Sequence, residues 1–214
     1  MGPRRKRRRY DATRRREAAE RTRHDILESA QRLFTSRGYG ATAMADVARE
    51  AGVALDTVYA SVGRKPALMR LLLERAISGV DAPVPAEQRD YVRAIQAEPD
   101  PARKLALYAA AIRRIHERLA PLVRAIQAAA AAHPEVAELW SEISARRARN
   151  MRLLAAHLAE TGALRPALGV DEAADIIWAT NAPELYLLLV GDRGWSPERF
   201  EVWLADAWRR LLLA

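Results

Sequence analysis

The stretch Gly40–Met69, GATAMADVAREAGVALDTVYASVGRKPALM, decides the fold. It predicts two short helices joined by a sharp turn, with a third close behind. Met44 to Glu50 is the first helix, with Val47 and Ala48 facing inward; Ala48 is small where two helices cross closely. Gly52 ends that helix, because a glycine takes the φ > 0 conformation that a side chain resists. Val53 plugs the turn. Leu55 to Val62 is the second helix, with Val58 on its buried side. Ala48-x-x-x-Gly52-Val53 followed by Val58 is the spacing of a helix-turn-helix, in which the second helix lies in the DNA major groove. The competing reading is an ordinary pair of core helices with a glycine turn.

The helix ends carry further signals. Ala54 occupies the cap position of the second helix, where Ser or Thr is better suited. Asp56 in its first turn suits the positive end of the helix dipole. Thr42 precedes the first helix and is expected to cap it, placing a hydroxyl and a helix N-terminus where a phosphate can sit.

A chain of 214 residues, half of them hydrophobic, holds one large or two modest domains with a real core. It has no cysteine, which excludes disulfides and thiolate metal sites. No apolar run approaches membrane-spanning length, and the arginine-rich N-terminus lacks the apolar core of a secretory signal. The expectation is a cytoplasmic protein with no membrane partner. Four histidines, His24, His116, His133 and His157, are widely separated and form no helical metal pair. No nucleophile elbow or phosphate loop is present. Neither an enzyme, a metal site nor a cofactor is expected.

The net charge of +8 is concentrated. Residues 1–23 hold eleven of the 35 Lys and Arg but three of the 27 acids, leaving 24 of each sign in the remainder. The excess is thus an N-terminal arm, PRRKRRRYDATRRR. Such a run is often only a solvated tail or a localisation signal. Here it abuts a DNA-reading motif, so Arg4, Arg5, Lys6, Arg7, Arg8 and Arg9 are expected to contact the polyanion. Their contribution falls with salt and carries little sequence information.

Arg16 to Arg37 reads as one amphipathic helix through Ile26, Ala30, Leu33 and Phe34. A fourth helix is expected from Pro66 to Ser78. Asp81-Ala-Pro-Val-Pro cannot continue it and marks a boundary. The expected segments are an arm over 1–20, a helix-turn-helix domain over 21–80 and a helical domain over 86–214. In the last, helices are expected over Ala86–Ala97, Pro101–Leu119, from Pro121 into the alanine tract, Pro134–Glu160, Glu172–Val190 and Phe200–Leu213. Ser196-Pro197-Glu198 is a strong helix start. The class is all-α.

The segment Thr22–Ile77, chiefly ILESAQRLFTSRGYGATAMADVAREAGVALDTVYASVGRKPALM, resembles the DNA-binding domain of the tetracycline-repressor (TetR) family of transcriptional regulators. The remainder is similar in architecture only: an all-helical regulatory domain closing with two long helices. The resemblance implies a homeodomain-like three-helix unit in which Thr42 contacts a phosphate. Leu55, Asp56 and Thr57 face the bases, Tyr59 and Ser61 reach the groove edge and backbone, and Lys65 holds a phosphate. Leu55 and Asp56 depart from the usual polar pattern: a leucine can meet a thymine methyl, and a carboxylate can accept from a cytosine amino group but repels phosphate.

One short recognition helix reads few bases, so two are expected across a twofold axis, on a palindromic operator in double-stranded DNA, with centres ~34–36 Å or more apart. The helices over 172–190 and 198–213 are too apolar for lone surface helices; they either fill a core or also bind a second copy as a four-helix bundle. The resemblance further implies a small-molecule site in the C-terminal domain. Pro183 breaks a helix beside Trp178, Thr180 and Asn181, which is either a patched kink or a cavity wall. Further candidates are Tyr108, Ile112 and His116 on one helix, and Trp140, Arg147 and Met151 on another. Arg147 suits an anionic ligand, although Arg146, Arg149 and Arg152 beside it suggest a solvated basic face. The expected function is a homodimeric repressor released from its operator by that ligand; the rival is a nucleoid-type or membrane-surface protein using the basic arm alone.

Overall fold

The computed structural model describes residues 3–81 and 84–214, with side chains from Thr13 onward in the first helix. All regular structure among them is helical, apart from one antiparallel bridge between Leu164 and Leu213. None of these helices is long and apolar enough to cross a membrane. Two compact units divide between Leu72 and Leu73, within the fourth helix rather than at the proline-rich link after it.

In the first unit, α1 runs Pro3–Arg37, α2 Met44–Glu50, α3 Leu55–Val62 and α4 begins at Lys65. The helix expected from Arg16 starts at Pro3, so the arm's backbone continues α1. The side chains of Arg4 to Arg9 lie outside the described residues. Ile26, Leu27, Ala30, Leu33 and Phe34 of α1 are buried with Val47 and Ala48 of α2 and Val58 and Val62 of α3. Spacing of three and four residues puts each set on one face, so burial of those stripes holds the three helices together. Gly52 closes the turn with φ +66°, and the next amide, Val53 N, donates to Ala48 O at 3.0 Å. That αL conformation satisfies the last carbonyls of α2 while redirecting the chain into α3.

The second unit holds the end of α4 (to Ser78), a 3₁₀ turn Ala86–Gln88, α5 Asp90–Ala97, α6 Pro101–Ala130, α7 Pro134–Glu160, α8 Val170–Thr180, α9 Pro183–Tyr186, a π turn Leu187–Asp192 and α10 Pro197–Leu212. Asp100 caps α6 by accepting from Ala102 N at 2.8 Å. Ser196 caps α10 by accepting from Arg199 N at 3.1 Å. Helix α6 packs against α5, α7, α9 and α10, and α7 against α8. The core centres on Leu105, Leu122, Val123, Ile126, Phe200, Leu204 and Trp208.

Three elements differ from expectation. Ala86–Ala97 is not one helix but a 3₁₀ turn and α5, broken at Arg89. Pro101–Leu119 and the helix from Pro121 are one, α6. Pro121 is exposed, and the acceptor it leaves without a donor is the carbonyl of solvent-exposed Glu117, where the loss costs little; buried Leu119, Ala120, Leu122 and Val123 bridge the site. Glu172–Val190 is not one kinked helix: α8 stops at Thr180 and α9 restarts at Pro183. The Ala179 carbonyl, deprived of Pro183 as donor, accepts from Ala182 N at 3.4 Å, so backbone rather than the Thr180 or Asn181 side chain repairs the break.

Exchange of Gly52 for alanine places a Cβ at positive φ with no neighbouring atom within 4 Å, so the cost is backbone strain alone. The expected destabilisation is about 1–2 kcal/mol, read from urea unfolding of the full chain, with Gly52→Asn costing less.

Candidate DNA-binding and ligand sites

Helix α3 uses its two valines inward and presents the opposite side to solvent. Val58 is 0 % exposed, whereas Leu55 is 38 % and Tyr59 44 % exposed, and Asp56, Thr57 and Ala60 are exposed with them. Ala54 is the N-cap and offers no side-chain bond. The C-terminal end of α3 is tied down: Arg23 of α1 donates to the Ser61 carbonyl at 2.6 Å. Ser61 is half-buried. Lys65 opens α4, half-buried, with its ammonium 4.2 Å from the centroid of the Tyr39 ring. The aromatic face holds a cation there beside a helix start, where the dipole also favours anions.

Thr42 requires correction. It does not cap α2, and its hydroxyl faces inward, donating to Gly38 O at 2.9 Å and Leu33 O at 3.3 Å; the residue is 1 % exposed. Ala43 is the N-cap, and Asp46 accepts from its amide at 3.0 Å. That backbone bond, supported by Arg49, holds the Asp46 carboxyl below the usual carboxylate range. Thr42 therefore braces the loop from α1, and its side chain is not available to a phosphate.

The second unit encloses a cavity of about 490 Å³. Its walls come from the end of α4 and from α5, α6, α7 and the α8–α9 break. Seven of the residues expected from sequence converge there: Tyr108, Ile112 and His116 from α6, Trp140, Arg147 and Met151 from α7, and Asn181 from the break. Trp178 is not among them. It stands behind Arg147, whose guanidinium carbon lies 4.6 Å from the indole centroid, and its own N–H is buried without a hydrogen-bond partner among the described residues. The sequence reading also missed Tyr91 and Ile95 of α5; their four-residue spacing on a short amphipathic helix was the available signal.

Asn181 is the hub of the polar wall and 1 % exposed. Its Oδ1 accepts from Arg147 Nη1 at 2.9 Å, and its Nδ2 donates to the Tyr108 hydroxyl at 2.8 Å and to Met151 Sδ at 2.9 Å. Its backbone carbonyl accepts from His116 Nε2 at 2.9 Å. The Tyr108 hydroxyl donates in turn to Met151 Sδ at 3.1 Å, and its ring stacks on Trp208 at 5.2 Å. Burial pushes the Tyr108 phenol far up, so it stays protonated. Burial, with some repulsion from Arg147, pushes His116 down to about 4 from an ordinary 6.5, so it is neutral, with Nε2 carrying the proton. Arg146 meets Glu74 of α4 at 2.6 Å, and Arg118 Nε donates to the Ala76 carbonyl at 2.9 Å, so both α6 and α7 hold the end of α4.

These two sites define a class: a small helical unit with an exposed third helix, followed by an all-helical unit built around a cavity. Residues 26–72 match the model of "Bacterial regulatory proteins, tetR family". The HTH-type transcriptional regulator TtgR of Pseudomonas putida is 40% identical over 58 residues, 27% of this chain and 28% of that protein. The chain thus spans just over a quarter of the length of the curated relatives it matches. Over the whole chain the fold is similar to NalD, the secondary repressor of the MexAB-OprM multidrug efflux pump in Pseudomonas aeruginosa, with TM-score 0.70, 23% identity, and 92% of this chain and 98% of that chain covered. It is similar also to SmeT in its triclosan complex, with TM-score 0.72, 17% identity and 91% and 93% covered. Residues 26–72 thus resemble the DNA-binding module of tetR-family regulators, and the likeness over the remainder is one of fold.

The unfolded state takes up a proton at His116 below pH 6.5 that the folded state refuses until about pH 4. Stability from this group is therefore nearly constant well above 6.5 and falls as pH drops through that window, by about 1.5 kcal/mol between pH 6.5 and 5. Urea unfolding at the two pH values is expected to show that much less dependence in a His116→Gln variant.

Proposed function

We propose that the chain is a homodimeric, sequence-specific DNA-binding transcriptional regulator. It represses by covering a palindromic operator and is released by a small molecule bound in the cavity of the second unit. The observation that carries the reading is α3, with Val58 and Val62 directed inward and Leu55, Asp56, Thr57 and Tyr59 outward. A helix so mounted can enter a major groove without losing its packing. Leu55, Asp56 and Thr57 read base edges; Tyr59, Ser61 and Lys65 fix the register on the backbone. Arg4 to Arg9 add affinity through counterion release.

The segments 1–20, 21–80 and 86–214 divide the work into arm, reading domain and regulatory domain. A second copy is joined through 172–190 and 198–213. Ile177, Leu204 and Trp208 of those stretches fill the core, whereas Leu188, Val202 and Leu211 remain exposed, which supports a role for the outer side in pairing. Tyr108, Ile112, His116, Trp140, Arg147, Met151 and Asn181 hold the ligand, with Trp178 backing Arg147. SmeT, of similar fold, forms a complex with triclosan, which supports the binding of a small molecule by this fold. The ligand acts only through unequal affinity for the DNA-bound and released states.

Selection of duplexes from a random pool by the full chain is expected to yield a palindrome. Removal of residues 1–14 should weaken binding and flatten its salt dependence by about 0.9 for each phosphate the arm no longer neutralises, with the preference intact. Joint Leu55→Ala and Thr57→Ala exchange should instead cut the preference over random DNA about tenfold or more. Disappearance of nearly all binding on removal of the arm, with the double variant unchanged, identifies a purely electrostatic binder and overturns the proposal.

A further inference from the structure

Four arginines of α7 meet four different fates. Arg152 pairs with Asp171 at 2.6 Å, Arg146 with buried Glu74 at 2.6 Å, and Arg149 is exposed. Arg147 points at the cavity and has no carboxylate partner among the described residues. Its protein contacts are the bond to Asn181 Oδ1 and the Trp178 ring. A guanidinium carries five N–H donors, so most of this fork is uncommitted, and none of its nitrogens is a sealed, unsatisfied atom. Burial lowers its affinity for the proton, and Glu184 counters this from a distance; an arginine remains charged under such shifts.

A partly buried positive charge without an ionic partner is unfavourable, and an oxyanion on the open side of the fork removes that cost. The Tyr108 hydroxyl stands beside it. Its proton is spent on the thioether of Met151, a weak acceptor that an oxygen displaces readily. Both groups are held by Asn181, so two donors and one positive charge converge at a fixed place. The wall around them is apolar, through Ile112, Ile115, Ile143 and Leu154. The acids of the lining, Glu87 and Glu160, are exposed side chains.

We infer that the cavity selects an amphiphilic anion, an apolar body with one carboxylate or similar oxyanion seated on Arg147 and within reach of the Tyr108 hydroxyl. The inference rests on the ligand-responsive reading above and assigns that ligand its chemical class. Arg147 is the specificity-determining residue, and Trp178 behind it fixes the plane of the fork.

Three probes of one chain length separate charge from bulk: octanoate, octan-1-ol and octylammonium, titrated calorimetrically into the full chain. Octanoate is expected to bind about tenfold tighter than octan-1-ol or more, and octylammonium weakest. Arg147→Met should lose that preference while octan-1-ol binding persists. Should Arg147→Met fail to fold, Arg147→Lys replaces it, with the preference reduced because the fork is gone. Equal or tighter binding of octan-1-ol or octylammonium overturns the assignment of charge alone, as does a preference unchanged in either variant. Binding of none of the three defeats the ligand-responsive reading as well.

Discussion

The break in the chain at Asn181 to Pro183 is the constraint on which the second unit depends. Pro183 has no amide proton, so α8 cannot run on into α9 with an unbroken ladder. The interruption leaves the Asn181 carbonyl free for His116 and directs the Asn181 side chain among Arg147, Tyr108 and Met151. Helices α6 and α7 are thereby linked through one residue on the α8–α9 break. A polar web of this kind is favourable only when complete, because each unpaired buried group carries its full desolvation cost. The bonds through Asn181 hold Arg147, Tyr108 and Met151 in position, while His116 Nδ1 and the Trp178 N–H stay buried without a partner among the described residues.

The same end of the second unit receives the tail of α4. Glu74 is taken by Arg146, and the Ala76 carbonyl by Arg118, so the helix end is clamped by residues from the two helices that also form the cavity wall. Arg146 and Ile77 are themselves part of that wall. In the first unit the economy is different: α2 and α3 are too short to be stable alone, and Val47, Ala48, Val58 and Val62 fix them against α1. With the inner side of α3 committed to packing, its outer side is left exposed to solvent.

Much of this was legible in the chain itself. Gly52, the inward-facing Val58 among polar neighbours, and the Ser196-Pro197 start all act over a single turn of backbone, and each lies in the structure where the sequence put it. What misled were features whose outcome depends on distant partners. Thr42 has the chemistry of a cap, but Leu33 and Gly38 offer carbonyls inside the domain and win the hydroxyl. Pro121 has the chemistry of a helix breaker, yet burial on both sides carries α6 through it. Trp178, beside the proline break, and Arg147, on another helix, were both candidates, and the Asn181 bond and the stacking of one on the other decided which faces the cavity.

The sequence by itself determined the helical class, the turn at Gly52, the helix Leu55–Val62 and the concentration of positive charge at the N-terminus. These follow from local periodicity, backbone freedom and composition, which neighbouring residues alone dictate. Only the tertiary structure decided that residues as far apart as Tyr91, Tyr108, Met151 and Asn181 enclose one space, and that of four arginines on α7 Arg147 faces it with no carboxylate paired to it among the described residues. Which partner a long polar side chain finds depends on what packing places within reach, and that no run of neighbouring residues specifies.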